Sequence, residues 1–130
     1  PVPTLRIQNF AACLEPCRGD NGNAQRTFPV GTKKVYLTWV FSDFRVGAHY
    51  TRAWTLVGKG EWTRYECTWA GPEAGIENIA LSAPSGLHAG TWEVTITLDQ
   101  EVVLREQFRI EGDWDLWDPP GLFTTCYGTR

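Results

Sequence analysis

The stretch Thr91-Trp92-Glu93-Val94-Thr95-Ile96-Thr97-Leu98 puts Trp92, Val94, Ile96 and Leu98 on one side of an extended chain and Thr91, Glu93, Thr95 and Thr97 on the other. Side chains of a strand alternate between faces, so this period of two specifies a strand with one face in a core and one in water. A helix would spread the same apolar residues around its circumference. The residue types agree, because β-branched and aromatic side chains suit a pleated, half-buried surface. Asp99-Gln100 starts a reversal, after which Val102, Leu104, Phe108 and Ile110 return in phase. Glu106 breaks that face. An unpaired buried carboxylate is too costly, so Glu106 is expected at a strand edge or beside a bulge.

The same period runs upstream. Residues 33–43 form the strongest strand, with Val35, Leu37, Trp39 and Phe41 on one face and Tyr36, Thr38 and Val40 on the other. Two partly apolar faces mark a central strand, or one whose outer face is covered by a tail or a neighbour. Residues 50–57 and 61–69 make a hairpin turning at Lys59-Gly60, with Tyr65, Cys67 and Trp69 on one side. Ile79 and Leu81 alternate within 76–82, and residues 4–10 read as a first strand with Leu5 and Ile7 on one side. Residues 11–31 hold two cysteines and the Asp20-Asn21-Gly22-Asn23 cluster, which favours turns and left-handed backbone, so this stretch reads as a loop. Seven to eight short strands separated by turns, with no helical period, predict an all-β two-sheet sandwich, with a closed barrel as the alternative.

At 130 residues and 42% apolar composition the chain has the size of one domain and enough apolar surface to fold, which excludes a disordered tail. Its net charge is −3 and no basic cluster is longer than Lys33-Lys34, so nucleic acid is not an expected partner. No segment approaches the ~20 apolar residues of a membrane span, and no basic-then-apolar stretch of the secretory kind is expected to remain at the N-terminus. The chain begins at Pro1 and contains no Met, which predicts a processed or trimmed product.

Four cysteines, Cys13, Cys17, Cys67 and Cys126, form an even set in a short chain, which favours two disulfides and an oxidising, extracellular or cell-surface location. Three pairings are open. The working expectation is Cys13 with Cys17, closing the Leu14-Glu15-Pro16 turn, and Cys67 with Cys126, pinning the C-terminal tail to a strand. The second would close a long loop and contribute on the order of 4 kcal/mol on the chain-entropy model. A four-thiolate zinc site fits less well, because only one pair of cysteines is closely spaced.

Catalytic patterns are absent from the sequence. His49 and His88 read as exposed loop histidines without a recognisable partner, and no Gly-x-Ser-x-Gly elbow is present. Glu61, Glu66, Glu77 and Glu93 read as strand exteriors or strand ends, where solvated charge is the default. The run Asp113-Trp114-Asp115-Leu116-Trp117-Asp118 carries three carboxylates but lacks the spacing of a calcium loop. The expectation is therefore a protein that is not an enzyme and needs no cofactor and no metal.

Seven tryptophans divide into two groups. Trp39, Trp54, Trp69 and Trp92 fall in phase with apolar neighbours and are assigned to the core. Trp62, Trp114 and Trp117 do not, and are read as exposed anchors for a protein interface or a sugar ring.

Residues 33–110 resemble the immunoglobulin-like modules of bacterial cell-surface and secreted proteins. The likeness rests on Val35-Tyr36-Leu37-Thr38-Trp39, on Trp54 leading into a Gly-containing hairpin, on Trp69-Ala70-Gly71 with Gly75, and on Pro84-Ser85-Gly86-Leu87-His88-Ala89-Gly90-Thr91-Trp92-Glu93-Val94. It covers about three-fifths of the chain. The resemblance implies an immunoglobulin-like sandwich that serves as a scaffold or binding unit rather than a catalyst. Residues 1–32, an N-terminal strand and disulfide-containing loop, and 111–130, a tail packed on the domain through a disulfide, depart from the pattern as extensions.

These readings converge on a non-catalytic extracellular module that works by protein–protein contact. In its stronger form it is a self-assembling subunit of a surface filament or layer. The first strand, joined by a loop of about twenty residues, would reach either its own sheet or a neighbour's edge by strand addition. Leu5, Ile7, Phe10, Trp62, Trp114 and Trp117 are the expected interface residues. The alternative is a carbohydrate-binding module using exposed tryptophans, with a glycan as partner.

Overall fold

In the computed structural model, which describes residues 6–83 and 85–112, the chain forms eight strands and no helix among the described residues. They are β1 (Ile7–Cys13), β2 (Thr27–Phe28), β3 (Lys34–Phe41), β4 (His49–Leu56), β5 (Gly60–Thr68), β6 (Gly75–Ser82), β7 (Gly90–Leu98) and β8 (Glu101–Ile110). A small sheet in the order β1-β3-β6 packs on a larger one in the order β2-β8-β7-β4-β5. The protein is an all-β two-sheet sandwich. Every pairing is antiparallel except that of β2 with β8.

The core follows from the alternation. Trp92, Val94, Ile96 and Leu98 of β7 are buried, as are Val35, Leu37, Trp39 and Phe41 of β3, so the two inner faces meet. Trp39, Trp54, Trp69 and Trp92 are all at most 2% exposed, as their phase requires. At one end of the sandwich Phe41, Phe44, Tyr50 and Trp69 form an aromatic cluster, with Phe41 and Phe44 centroids 4.9 Å apart and Trp69 edge-on to both. Trp92 anchors the other part of the core. It stands edge-on to Trp62 at 5.3 Å and donates its indole N–H to the His88 carbonyl at 2.8 Å.

Strand bulges explain where the alternation misleads. Across β4 and β5, Trp54 faces Thr63 but Thr55 faces Glu61, leaving Trp62 as an extra residue. The extra residue shifts the phase of the strand. Trp62 therefore enters the core at 5% exposure and is not the exposed anchor its position in the pattern predicts. Across β1 and β3, Gln8 faces Val40 and Ala11 faces Thr38, so Asn9 and Phe10 oppose one residue, and Asn9 adopts a left-handed φ of 57°. The first strand consequently runs on to Cys13 and buries Ala11 and Ala12, whereas the reading ended it at Phe10. β2 lies within the stretch read as loop. It is a two-residue strand held by the burial of Phe28 against Phe108.

Two charged positions, Glu77 and His88, differ from expectation, and a third, Glu106, lies at the strand edge expected for it. Glu77 is 2% exposed because it is in phase with Ile79 and Leu81 on the inner face of β6, and is not a solvated exterior. His88 is 9% exposed, because its loop folds against the sandwich end where Trp92 takes its carbonyl. Glu106 sits in β8 where β2 has not yet begun, so that β8 is an edge there, and Arg26 meets its carboxylate at 2.9 Å. β8 is also bulged nearby, where Ile96 faces Leu104 but Thr97 faces Val102.

Candidate binding surface

The loop between β1 and β2 is tied down from several directions. Cys13 and Cys17 form a disulfide, as the short spacing predicts. Within the loop Asn23 accepts from the Arg18 N–H at 2.8 Å and donates to the Pro16 carbonyl at 3.0 Å, while Asp20 accepts from the Gly22 N–H at 2.8 Å. Asn21 has a left-handed φ of 55°, a conformation Asn tolerates, and its carbonyl accepts from the Ala24 N–H. Ala24 and Gln25 then pair back onto Cys13 and Ala12. Few torsions are left free, so the loop is a fixed wall.

That wall stands over the outer face of the small sheet. It supplies the cover that the two-faced pattern of β3 called for, with Thr38 only 9% exposed. Between the wall and the sheet lies a depression of about 300 Å³, bounded by Pro16 and Cys17 on one side and by Lys34, Tyr36, Asn78 and Ala80 from β3 and β6. A second depression of about 270 Å³ continues it toward Val40 and Ile76, with Asn9, Arg18 and Asn21 on its lip. Cys17 and Asn78 line both, so the two form one trough running along β3 and β6. Its apolar floor is open to water: Val40 is 37% and Ile76 63% exposed.

Of the interface residues expected from sequence, the three described are not brought together. Ile7 and Phe10 are half-buried against their own core, and Phe10 stacks on Trp39 at 6.3 Å with the Arg26 guanidinium over its other side at 5.0 Å. Trp62 is buried. Leu5, Trp114 and Trp117 lie outside the described residues, as does the acidic run 113–118. Cys67 is disulfide-bonded, and its expected partner Cys126 lies outside the described residues. The Cys13–Cys17 disulfide removes two thiols that the zinc alternative needs. Among the described residues no group of three or more His, Cys, Asp or Glu is placed to hold a metal ion.

Titratable groups outside the trough serve structure. His49 is exposed, with Nε2 3.3 Å from Glu66, and its backbone N–H donates to Asp99 at 2.9 Å. That bond, together with the Arg45 guanidinium at 2.7 Å, holds the Asp99 carboxyl below the usual carboxylate range. Arg52 is 1% exposed on the inner face of β4, with Nη1 3.3 Å from the Tyr50 hydroxyl and the guanidinium over the Tyr65 ring at 4.6 Å. Burial pushes the Tyr50 hydroxyl up, the nearby Arg52 opposes that rise, and the Glu77 carboxylate adds to it. The signal for Arg52 was in the sequence, since it falls in phase with Tyr50, Trp54 and Leu56.

No family model and no curated protein matches the chain. Among solved structures, the Pseudomonas fluorescens alkylpurine DNA glycosylase AlkC bound to DNA containing an abasic site analog is similar with a TM-score of 0.46 and 10% identity. The similarity covers 82% of this chain and 30% of the glycosylase chain, so this chain spans less than a third of that protein. The C-terminal domain of wzt is similar with a TM-score of 0.45 and 8% identity over 95% of this chain and 84% of that domain.

Proposed function

We propose that this protein is a non-catalytic interaction module of an extracellular or cell-surface protein, acting by protein–protein contact. The observation that carries the reading is the trough on the small sheet, a concave, partly apolar surface whose wall is fixed before any partner arrives. A pre-formed site avoids the ordering cost that weakens flexible ones. The disulfides agree with an oxidising compartment, and the likeness of residues 33–110 to immunoglobulin-like surface modules points the same way.

Self-assembly into a filament or layer is the stronger form of this reading. β1 pairs with β3 of its own chain, so polymerisation by a donated strand would exchange this ladder between copies. Sedimentation velocity and electron microscopy over a range of concentrations test it. Oligomers that grow with concentration support assembly. The substitution Leu5→Asp separates a donated arm, which loses polymer and keeps the fold, from an ordinary first strand, which loses stability. The carbohydrate alternative has lost Trp62, and a protein that binds glycans with a tryptophan fluorescence change while ignoring polypeptides would restore it.

A further inference from the structure

We propose that the trough over β3 and β6 binds an extended acidic peptide, with one carboxylate for Lys34, one for Arg18, and small apolar side chains on the floor. The proposal rests on the reading of this protein as a protein-interaction module and names the chemistry of its partner.

Length comes first. The trough follows β3 from Lys34 to Val40, which at about 3.3 Å per residue is roughly 20 Å and accommodates about six residues of extended chain. Charge comes next. Lys34 lines one half and Arg18 the lip of the other, and no Asp or Glu lines either half, although the whole chain carries a net charge of −3. Asp20 is 3.9 Å from Arg18, but both side chains are largely exposed, so water and salt weaken that pair and a partner's carboxylate competes for the guanidinium. The electrostatic match therefore selects an anionic ligand in both halves and steers its approach.

The remaining polar groups select a peptide. Asn9, Asn21 and Asn78 line the trough, and an amide side chain presents one acceptor and two donors, the same kinds of group a peptide backbone offers. Between them Ile76, Val40 and Ala80 offer an aliphatic floor suited to small apolar side chains. A sugar ring would want a bare aromatic face. Tyr36, an aromatic side chain in the trough, already has the Lys34 ammonium 5.5 Å from its ring centroid.

Selection of a random octapeptide phage library on the full, disulfide-intact chain tests the proposal. Enriched sequences are expected to carry Asp or Glu at two positions within one six-residue stretch. A selected peptide should shift backbone amide resonances in 16–21, 34–40 and 76–80, and lose roughly fivefold or more in affinity with Lys34→Ala or Arg18→Ala. Both side chains are exposed, so these variants should keep the wild-type near-UV circular dichroism. The double variant Lys34→Glu with Arg18→Glu should reverse the selection toward Lys and Arg. No enrichment, enrichment without the acidic pair, or resonance shifts elsewhere on the sandwich overturns the inference. In the last two cases the interaction reading survives. Binding of oligogalacturonate with no peptide enriched overturns both.

Discussion

The outer face of β7 and β8 and the outer face of β3 and β6 arise from the same alternation of side chains, yet they meet water differently. On the large sheet the charges are answered locally. Glu93 lies 3.7 Å from Arg105 and accepts from Gln107 at 2.9 Å, and Arg64 lies 2.8 Å from Glu61. On the small sheet a clamped loop overhangs an apolar floor that stays open to water, and one cation lines each half of a trough without a lining carboxylate. A face whose charges are closely paired has little left for a partner; a face whose cations are only loosely paired, over an open apolar floor, has more. The difference is why the proposed binding surface lies on the smaller sheet.

The largest test of this contrast concerns the core beneath the large sheet. Trp62→Ala should cost about 3–5 kcal/mol in urea unfolding, similar to Trp92→Ala, because both remove a large buried side chain. A change within about 0.5 kcal/mol would mean that Trp62 is a surface residue after all. Next in size, Cys13→Ser with Cys17→Ser should cost about 2 kcal/mol on the chain-entropy model, since the closed loop is short. The same variant should accelerate hydrogen exchange at the Asn21 and Ala24 amides while leaving β7 protected. Uniform acceleration would show that the loop is not an independent wall.

Smaller effects are expected at the exposed charges. The Asp99 carboxyl has a lowered folded-state pKa, so its contribution is present above the ordinary carboxylate value near 3.9 and is lost as pH falls through the folded value. Asp99→Asn should therefore flatten the fall in stability below about pH 4 and change nothing in its slope at pH 7, as read by thermal unfolding across pH. Arg64→Ala on the large sheet should shift stability by no more than about 0.5 kcal/mol, because its pair with Glu61 is exposed. A larger loss would show that the large sheet depends on its surface pairs more than on its core.

The fold was largely legible because a period of two needs only a face in the core and a face in water. β3, β4, β6 and β7 lie where the alternation places them, and β8 does from Leu104 on, because its bulge turns Val102 out to 49% exposure. Legibility failed at bulges. Trp62 and Asn9 follow the local chain, yet their facing depends on register with a neighbouring strand, which no periodicity within one strand records. Two-residue β2 failed for a different reason, since Phe28 is ordered by Phe108, eighty residues away in sequence. For the candidate surface, the Cys13–Cys17 clamp and the turn-forming Asp20-Asn21-Gly22-Asn23 cluster could be read, but not that the loop would lie over Tyr36 and Asn78.

Local chemistry alone settled that this polypeptide builds sheets, that its cysteines favour an oxidised setting and that four of its tryptophans are internal. Chain packing decided that Trp62 turns inward and that Asn9, Arg18, Lys34 and Asn78 line one trough. Side-chain alternation is a property of neighbours along the chain. A binding surface is a property of neighbours across it.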